Sequence, residues 1–218
     1  MNHLRLSLLV LLLSCTQILP AQWSLGLRSG YVRAWQDYGD FVPPEDAQIH
    51  VHRWRINAQI YRQLSPYISV GVEPGWVQRG AACLPGFLVP FPGDLRLNVR
   101  YLELPLMLRA QWPIGPLSIR GQVGYSTSVA VQATSQRVSL TGETPDDPPV
   151  PMQIGRLGVR RWDPGLYGSL GLAWRHGRQE LSLTSHYYHG LRHAVAIEES
   201  QNRGLSVEFG YAFLLGEK

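Results

Sequence analysis

The sequence predicts an all-β chain, an eight-stranded antiparallel up-and-down transmembrane β-barrel with short turns on one rim and long loops on the other. Three observations carry this. Apolar and polar residues alternate with period two over eight separate runs. Several runs are about twice the five or six residues usual for a globular strand. The connections between runs are alternately short and long, the asymmetry of barrels with short periplasmic turns and long extracellular loops.

The segment before the barrel reads as an export signal. Arg5 lies in a short polar start, Leu6 to Leu13 is almost wholly apolar, and a polar-to-small exit ends Leu19-Pro20-Ala21-Gln22. This predicts a signal peptide over residues 1–21, with cleavage near Ala21, and one barrel domain over residues 22–218. Ser14, Cys15, Thr16 and Gln17 interrupt the run too early for a transmembrane helix, which needs roughly 20 apolar residues. Leu12-Leu13-Ser14-Cys15 also resembles a lipoprotein box in which Cys15 would carry lipid, although Leu13 fits poorly there. Cleavage leaves Cys83 as the single cysteine, so the mature chain forms no internal disulfide.

The first run, Trp23 to Val32, sets Leu25, Leu27 and Tyr31 against Arg28. The second, His50 to Arg62, alternates Trp54, Ile56, Ala58 and Ile60 with Arg53, Arg55, Asn57 and Gln59. The third, Tyr67 to Gln78, places Ile68, Val70, Val72 and Trp76 opposite Ser69, Gly71 and Glu73. The fourth and fifth, within Asn98 to Val131, form a hairpin around Pro113-Ile114-Gly115-Pro116. There Leu102, Leu104, Leu106, Leu108 and Trp112 oppose Glu103 and Arg109, and Leu117, Ile119, Val123 and Tyr125 oppose Arg120, Gln122, Ser126 and Ser128. The sixth, Arg161 to Trp174, sets Trp162, Leu166, Leu170 and Leu172 against Asp163, Tyr167 and Ser169. The seventh, Gln179 to Tyr188, sets Leu181, Leu183 and Tyr187 against Glu180, Thr184 and His186. The eighth, Gly204 to Leu215, sets Leu205, Val207, Phe209, Tyr211 and Phe213 against Ser206, Glu208 and Gly210.

The phase of an alternation does not say which face is inside, but residue size does. The more polar faces are rich in glycine and serine and suit a narrow interior; the apolar faces carry bulky Leu and Trp. Trp54, Trp76, Tyr101, Trp112, Trp162, Trp174 and Tyr211 fall toward strand ends or the outward face, as interfacial girdles require. A soluble lipocalin-like ligand-binding barrel is the alternative, with its apolar face inward. The net charge of +4 comes from arginine, Lys218 being the only lysine. That bias carries no argument for nucleic acid, and a basic rim meets lipid phosphates instead.

The same phasing puts Arg28, Arg53, Arg55, Arg109 and Arg120 in the lumen against Glu73, Glu103, Asp163, Glu180 and Glu208. An eight-stranded interior is just wide enough for side chains to fill it, so these charges are expected to pair as a structural plug. No catalytic, cofactor or metal residue is assigned. His50 and His52 share a face without an evident third ligand, and zinc needs three or four. An outer-membrane lipid-modifying hydrolase would use Ser185, His186 and Glu198 or Glu199, yet adjacent strand residues point to opposite faces. The apolar loop from Ala81 to Pro92 reads as a contact surface or a cover over the barrel mouth, and Thr141 to Pro151 as a stiff excursion.

Tyr101-Leu102-Glu103-Leu104-Pro105-Leu106 resembles the "Y-L-E-I-P-L" strand of the PorT-like outer-membrane β-barrel proteins of Bacteroidota. Tyr188-His189-Gly190-Leu191, Asn202-Arg203-Gly204-Leu205 and Gly210-Tyr211-Ala212-Phe213 are similar to that family's closing hairpin, and Val72 to Gly80 to its third strand, with Pro74 a departure. The segment from Glu208 to Leu215 resembles a C-terminal signal for the insertion machinery. The resemblance implies location in the bacterial outer membrane more than any activity, and the expectation is a non-enzymatic barrel without cofactor. The implied partners are outer-membrane lipid, the insertion machinery, and secretion or surface proteins, one branch of the family being implicated in type IX secretion.

Overall fold

A computed structural model describes residues 22–37, 48–49, 51–80, 82–83, 94–138, 148–155, 158–195 and 200–216. The expected signal peptide, Cys15, His50 and most of the two loops singled out above lie outside the described residues.

The strands are β1 (Trp23–Asp37), β2 (Gln48–Ile49), β3 (Val51–Gln63), β4 (Ile68–Val72), β5 (Gly75–Arg79), β6 (Ala82–Cys83), β7 (Asp94–Ile114), β8 (Leu117–Val138), β9 (Val150–Pro151), β10 (Trp162–His176), β11 (Gln179–His193) and β12 (Gln201–Leu215). β4 and β5 form one stave interrupted at Glu73-Pro74, where proline lacks the N–H that the ladder needs. The interruption costs no register: Ala58 N–H donates to Pro74 O at 2.9 Å and Glu73 N–H to Pro105 O at 3.1 Å. Counting that stave once, eight antiparallel strands run β1, β3, β4/β5, β7, β8, β10, β11, β12, and β12 pairs back to β1 from Trp23↔Leu215 to Asp37↔Gln201. A closed ring leaves no edge strand with unpaired backbone, the condition for crossing a bilayer with strands.

The short connections, at residues 64–67, 115–116 and 177–178, share one rim with residues 22 and 216. The long connections share the other. At Gly115 the two-residue turn needs φ of +63°, which a side chain would strain. Several strands extend beyond the reading of the pattern, toward the long-loop rim. The β7–β8 hairpin continues to Asp94↔Val138, past a bulge at Arg100/Tyr101 that shifts the β8 alternation, so that both Ala130 and Ala133 are buried.

The faces are inverted relative to a soluble protein. Leu104 is 45% exposed while its neighbour Glu103 is 4% exposed. Leu27, Trp54, Leu170 and Trp112 also lie outside, and an apolar exterior of this extent belongs against lipid. The soluble lipocalin-like alternative, which needs the reverse, is excluded by these faces. Trp23, Tyr67, Trp112 and Trp174 ring the short-turn end, with Tyr67 and Trp112 centroids 5.7 Å apart. Tyr31, Trp54 and Trp162 mark the other end, and Tyr31 meets Trp54 edge-on at 6.5 Å. On β1 the rise from Trp23 to Tyr31 is about 20 Å at roughly 3.3 Å per residue and a tilt near 40°, close to an apolar band of about 25 Å. Tyr101 corrects the girdle expectation: it is fully buried in the lumen, because it shares the odd-numbered phase of β7 with Glu103.

Candidate functional site

Strand alternation delivers nine of the ten expected lumen charges, Arg28, Arg55, Glu73, Glu103, Arg109, Arg120, Asp163, Glu180 and Glu208, to the buried interior. At mid-lumen Glu73 accepts from Arg28 at 3.1 and 3.2 Å, from Asn57 at 2.9 Å and from Tyr61 Oη at 2.5 Å. Arg28 also reaches the Gln59 carboxamide, whose oxygen faces it at 2.7 Å from Nε, and His186 Nε2 at 2.8 Å. A guanidinium only donates, so His186 Nε2 accepts and the ring proton sits on Nδ1. Arg55 donates to Glu208 at 3.1 Å, and Ser206 Oγ donates to the same carboxylate at 2.6 Å.

Toward the long-loop rim the centre is Arg79. Its Nη2 donates to Glu103 at 2.6 Å and to Tyr167 Oη at 2.9 Å; its Nη1 donates to Ser128 at 3.1 Å and to Asp163 at 3.3 Å. The guanidinium also lies 3.7 Å from the Tyr188 ring centroid, a cation–π contact. Asn202 donates to Asp163 at 2.8 Å. The other Glu103 oxygen lies 2.9 Å from Arg55 Nε, an ion pair that is not an aligned hydrogen bond. Glu103 thus joins the Arg55 cluster to the Arg79 cluster. Toward the short-turn rim Arg120 holds Glu180 with two donors, and Arg175 approaches the same carboxylate at 3.3 Å.

Two expectations need correcting. Arg53 shares the inward phase of β3 but sits at the rim, half-buried, where it donates to His52 O at 3.0 Å and makes no ion pair among the described residues. Arg109 is buried but, among the described residues, faces no carboxylate within ion-pairing distance; it stacks over Tyr61 at 3.4 Å from the ring centroid and donates to the Gln122 carboxamide oxygen at 2.8 Å. Four tyrosines, Tyr61, Tyr101, Tyr167 and Tyr188, fill the space between charges, and of these the sequence phasing above names Tyr167 on the inward face. Arg79 lies one residue past the third run, which the alternation bounds at Gln78, and the odd-numbered phase from Glu73 through Gly75 and Val77 leads to it. Glycine accommodates these rings. A Cβ on Gly165 would stand 2.3 Å from Tyr188 Cε2, and one on Gly30 would stand 2.6 Å from Glu208 Cγ.

Above the charges, the long-loop mouth is closed by apolar side chains. Val32, Ala34, Val51, Val77, Val99, Tyr101, Ala130, Ala133 and Val159 are buried together, with Leu97, Met152 and Ile154 packed against them. The segment carrying Met152 is tied to β8 by its N–H, which donates to Ala133 O at 2.9 Å. Two cavities inside the barrel, one beside Arg79 and His186 and one beside Arg120 and Glu180, measure about 10 Å³ each. Each is about the room of a single water molecule.

The residues considered for hydrolysis do not converge. Ser185 points outward from β11 while His186 points into the lumen, and Glu198 and Glu199 lie outside the described residues. Among the described residues no group of three or more His, Cys, Asp or Glu is placed to hold a metal ion. His52 stacks on Tyr31 at 5.3 Å.

Residues 17–195 match the family model described as outer membrane protein beta-barrel domain. No curated protein sequence matches the chain. Among solved structures, the outer membrane protein OprG of Pseudomonas aeruginosa is 10% identical, with 91% of this chain and 97% of that one covered and a TM-score of 0.49. The attachment invasion locus protein Ail of Yersinia pestis is 12% identical, with coverage of 90% and 100% and a TM-score of 0.42. The outer membrane protease OmpT of Escherichia coli is 10% identical, with coverage of 92% and 100% and a TM-score of 0.37. No activity is carried over from any of them.

Proposed function

The chain belongs to the outer membrane protein β-barrel domain family, and from that premise we propose a non-enzymatic, non-conducting barrel whose lumen is plugged by its own side chains. The observation that carries this reading is the network from Arg28–Glu73 through Arg55 and Glu103 to Arg79–Asp163, with a separate Arg120–Glu180 pair toward the short-turn rim and the apolar cluster around Tyr101 toward the other. Charges taken from water are tolerated only when paired, and the buried carboxylates of this network each face an arginine of the same lumen. A nucleophile or general base has no approach to substrate within it.

In this reading residues 1–21 direct export and are removed, the short turns face the periplasm, and the long loops face the exterior. The Tyr101-Leu102-Glu103-Leu104-Pro105-Leu106 strand supports placement in the PorT-like branch. The loops then serve contacts with surface or secretion partners, and the Leu and Trp exterior meets outer-membrane lipid.

Planar-bilayer recording of the purified barrel tests the plug. No unitary conductance is expected from wild type. Reproducible ohmic steps would sink the non-conducting reading. Proteolysis of intact cells carrying a tag between residues 139 and 147 tests orientation separately: cleavage is expected, and protection of the tag reverses the topology.

A further inference from the structure

One polar pocket on the barrel lies outside the lumen network. On β7, Arg96, Asn98 and Arg100 alternate, and their cross-strand partners on β8 are Gln136, Thr134 and Gln132. These six residues, with Arg53 and Pro149, line a cavity of about 280 Å³. Three arginines line it, with no carboxylate among the described lining residues. Arg100 donates to Gln132 Oε1 at 2.7 Å and lies over the Trp76 ring at 5.9 Å. Arg53 Nε is buried without a partner, and the Arg96 side chain makes no hydrogen bond or ion pair among the described residues.

This departs from the rest of the barrel. Each buried lumen arginine faces a carboxylate or, for Arg109, an aromatic ring and an amide. Gathering like charges without a counter-charge is unfavourable, and an anion entering the pocket removes that penalty. Guanidinium forks match phosphate oxygens two at a time, and the neighbouring amides and hydroxyl suit a polar sugar. Depth selects the source. Arg100 lies over Trp76, which shares a row with Leu102, Val129 and the girdle residue Trp162, the level of lipid headgroups. Charge selects the group: three cations complement a phosphate monoester, which carries a charge of about −1.5 to −2 near neutral pH, better than a singly charged diester.

We propose that the Arg53–Arg96–Arg100 pocket binds the phosphate monoester of a glycolipid headgroup in the leaflet at the long-loop rim. The glycolipid assignment rests on the orientation proposed above; the monoester preference rests on the pocket alone.

The test uses the folded full barrel in neutral detergent, titrated by native mass spectrometry with four probes: bisphosphorylated lipid A, the same lipid dephosphorylated, phosphatidylglycerol, and inorganic phosphate. Lipid A is expected to bind at least tenfold more tightly than its dephosphorylated form or phosphatidylglycerol. R96Q/R100Q should abolish that preference, and R178Q, on the exposed short-turn rim, should retain it. Equal binding of phosphorylated and dephosphorylated lipid A by wild type overturns the proposal whether or not the variants fold. An equal loss in R178Q overturns it in favour of general charge attraction. Inorganic phosphate displacing lipid A at equal concentration overturns the lipid source. Because both leaflets' chemistries are offered in detergent, none of these results depends on which rim faces outward, and orientation is decided by the tag experiment alone.

Discussion

Glu103 accepts a hydrogen bond from Arg79 at 2.6 Å inside a lumen where both side chains are almost fully buried. The two residues come from different staves, β7 and β5, whose register places Val77 opposite Tyr101 and Gly75 opposite Glu103. The pair therefore locks neighbouring staves from the inside, and it continues through the second Glu103 oxygen to Arg55 on β3.

Removing one member of a buried pair leaves the other charged and unpaired. Glu103→Ala is expected to destabilise the folded barrel by about 3–5 kcal/mol. Heat-modifiable migration on a gel checks this, with the unfolding temperature expected to drop clearly; an unchanged midpoint would count against the ion-pair plug. Arg53→Ala serves as contrast and should stay within about 0.5 kcal/mol of wild type, since among the described residues the Arg53 side chain bonds only a backbone carbonyl.

Arg79 and Glu103 should be energetically coupled. A double-mutant cycle with Arg79→Gln and Glu103→Gln, read by urea titration in liposomes, is expected to give a coupling of about 0.5–3 kcal/mol. Additive effects would show that the contact contributes no more than its separate halves.

Gly165 and Gly168 lie on one strand but face opposite ways. At Gly165 an added methyl meets the Tyr188 ring, whereas at Gly168 nothing lies within 4 Å. Gly165→Ala should destabilise by about 1–3 kcal/mol through overpacking, and Gly168→Ala should be nearly neutral. Equal effects in the thermal melt would mean that the lumen yields as readily as the outer face.

Leu106 faces outward at 56% exposure in the middle of β7. Leu106→Arg should cost about 2–4 kcal/mol of folding free energy in a bilayer, the penalty for a cation near the midplane. The liposome urea midpoint measures it. A midpoint equal to wild type would be incompatible with lipid contact at this position.

Much of this architecture is legible in local pattern. The alternation of Leu102, Glu103, Leu104, Pro105 and Leu106 specifies a strand and divides its residues between two environments, because successive side chains leave a pleated strand on opposite sides. The Ser185 and His186 pair illustrates the same rule, and it separates them by a barrel wall. Arg79 lies past a blurred boundary: Pro74 and the glycines around it obscure where the third stave ends, and its inward phase is legible only if the stave is carried beyond Gln78. Arg53 shows the converse. Its phase is inward, yet its height at the rim leaves it clear of the acids, and height around a sheared barrel depends on register between strands distant in sequence.

The sequence by itself determined strand number, the order of short and long connections, and which face of each strand is apolar, since all three follow from local periodicity and chain length. Only the tertiary structure decided which charge meets which. Arg28 finds Glu73, Arg79 finds Glu103 and Asp163, and Arg109 finds Tyr61, because closure of the ring, stagger of its staves and the clearance at Gly165 and Gly30 set the distances across the lumen. Those distances arise from pairings between strands far apart in the chain, and no single strand's pattern contains them.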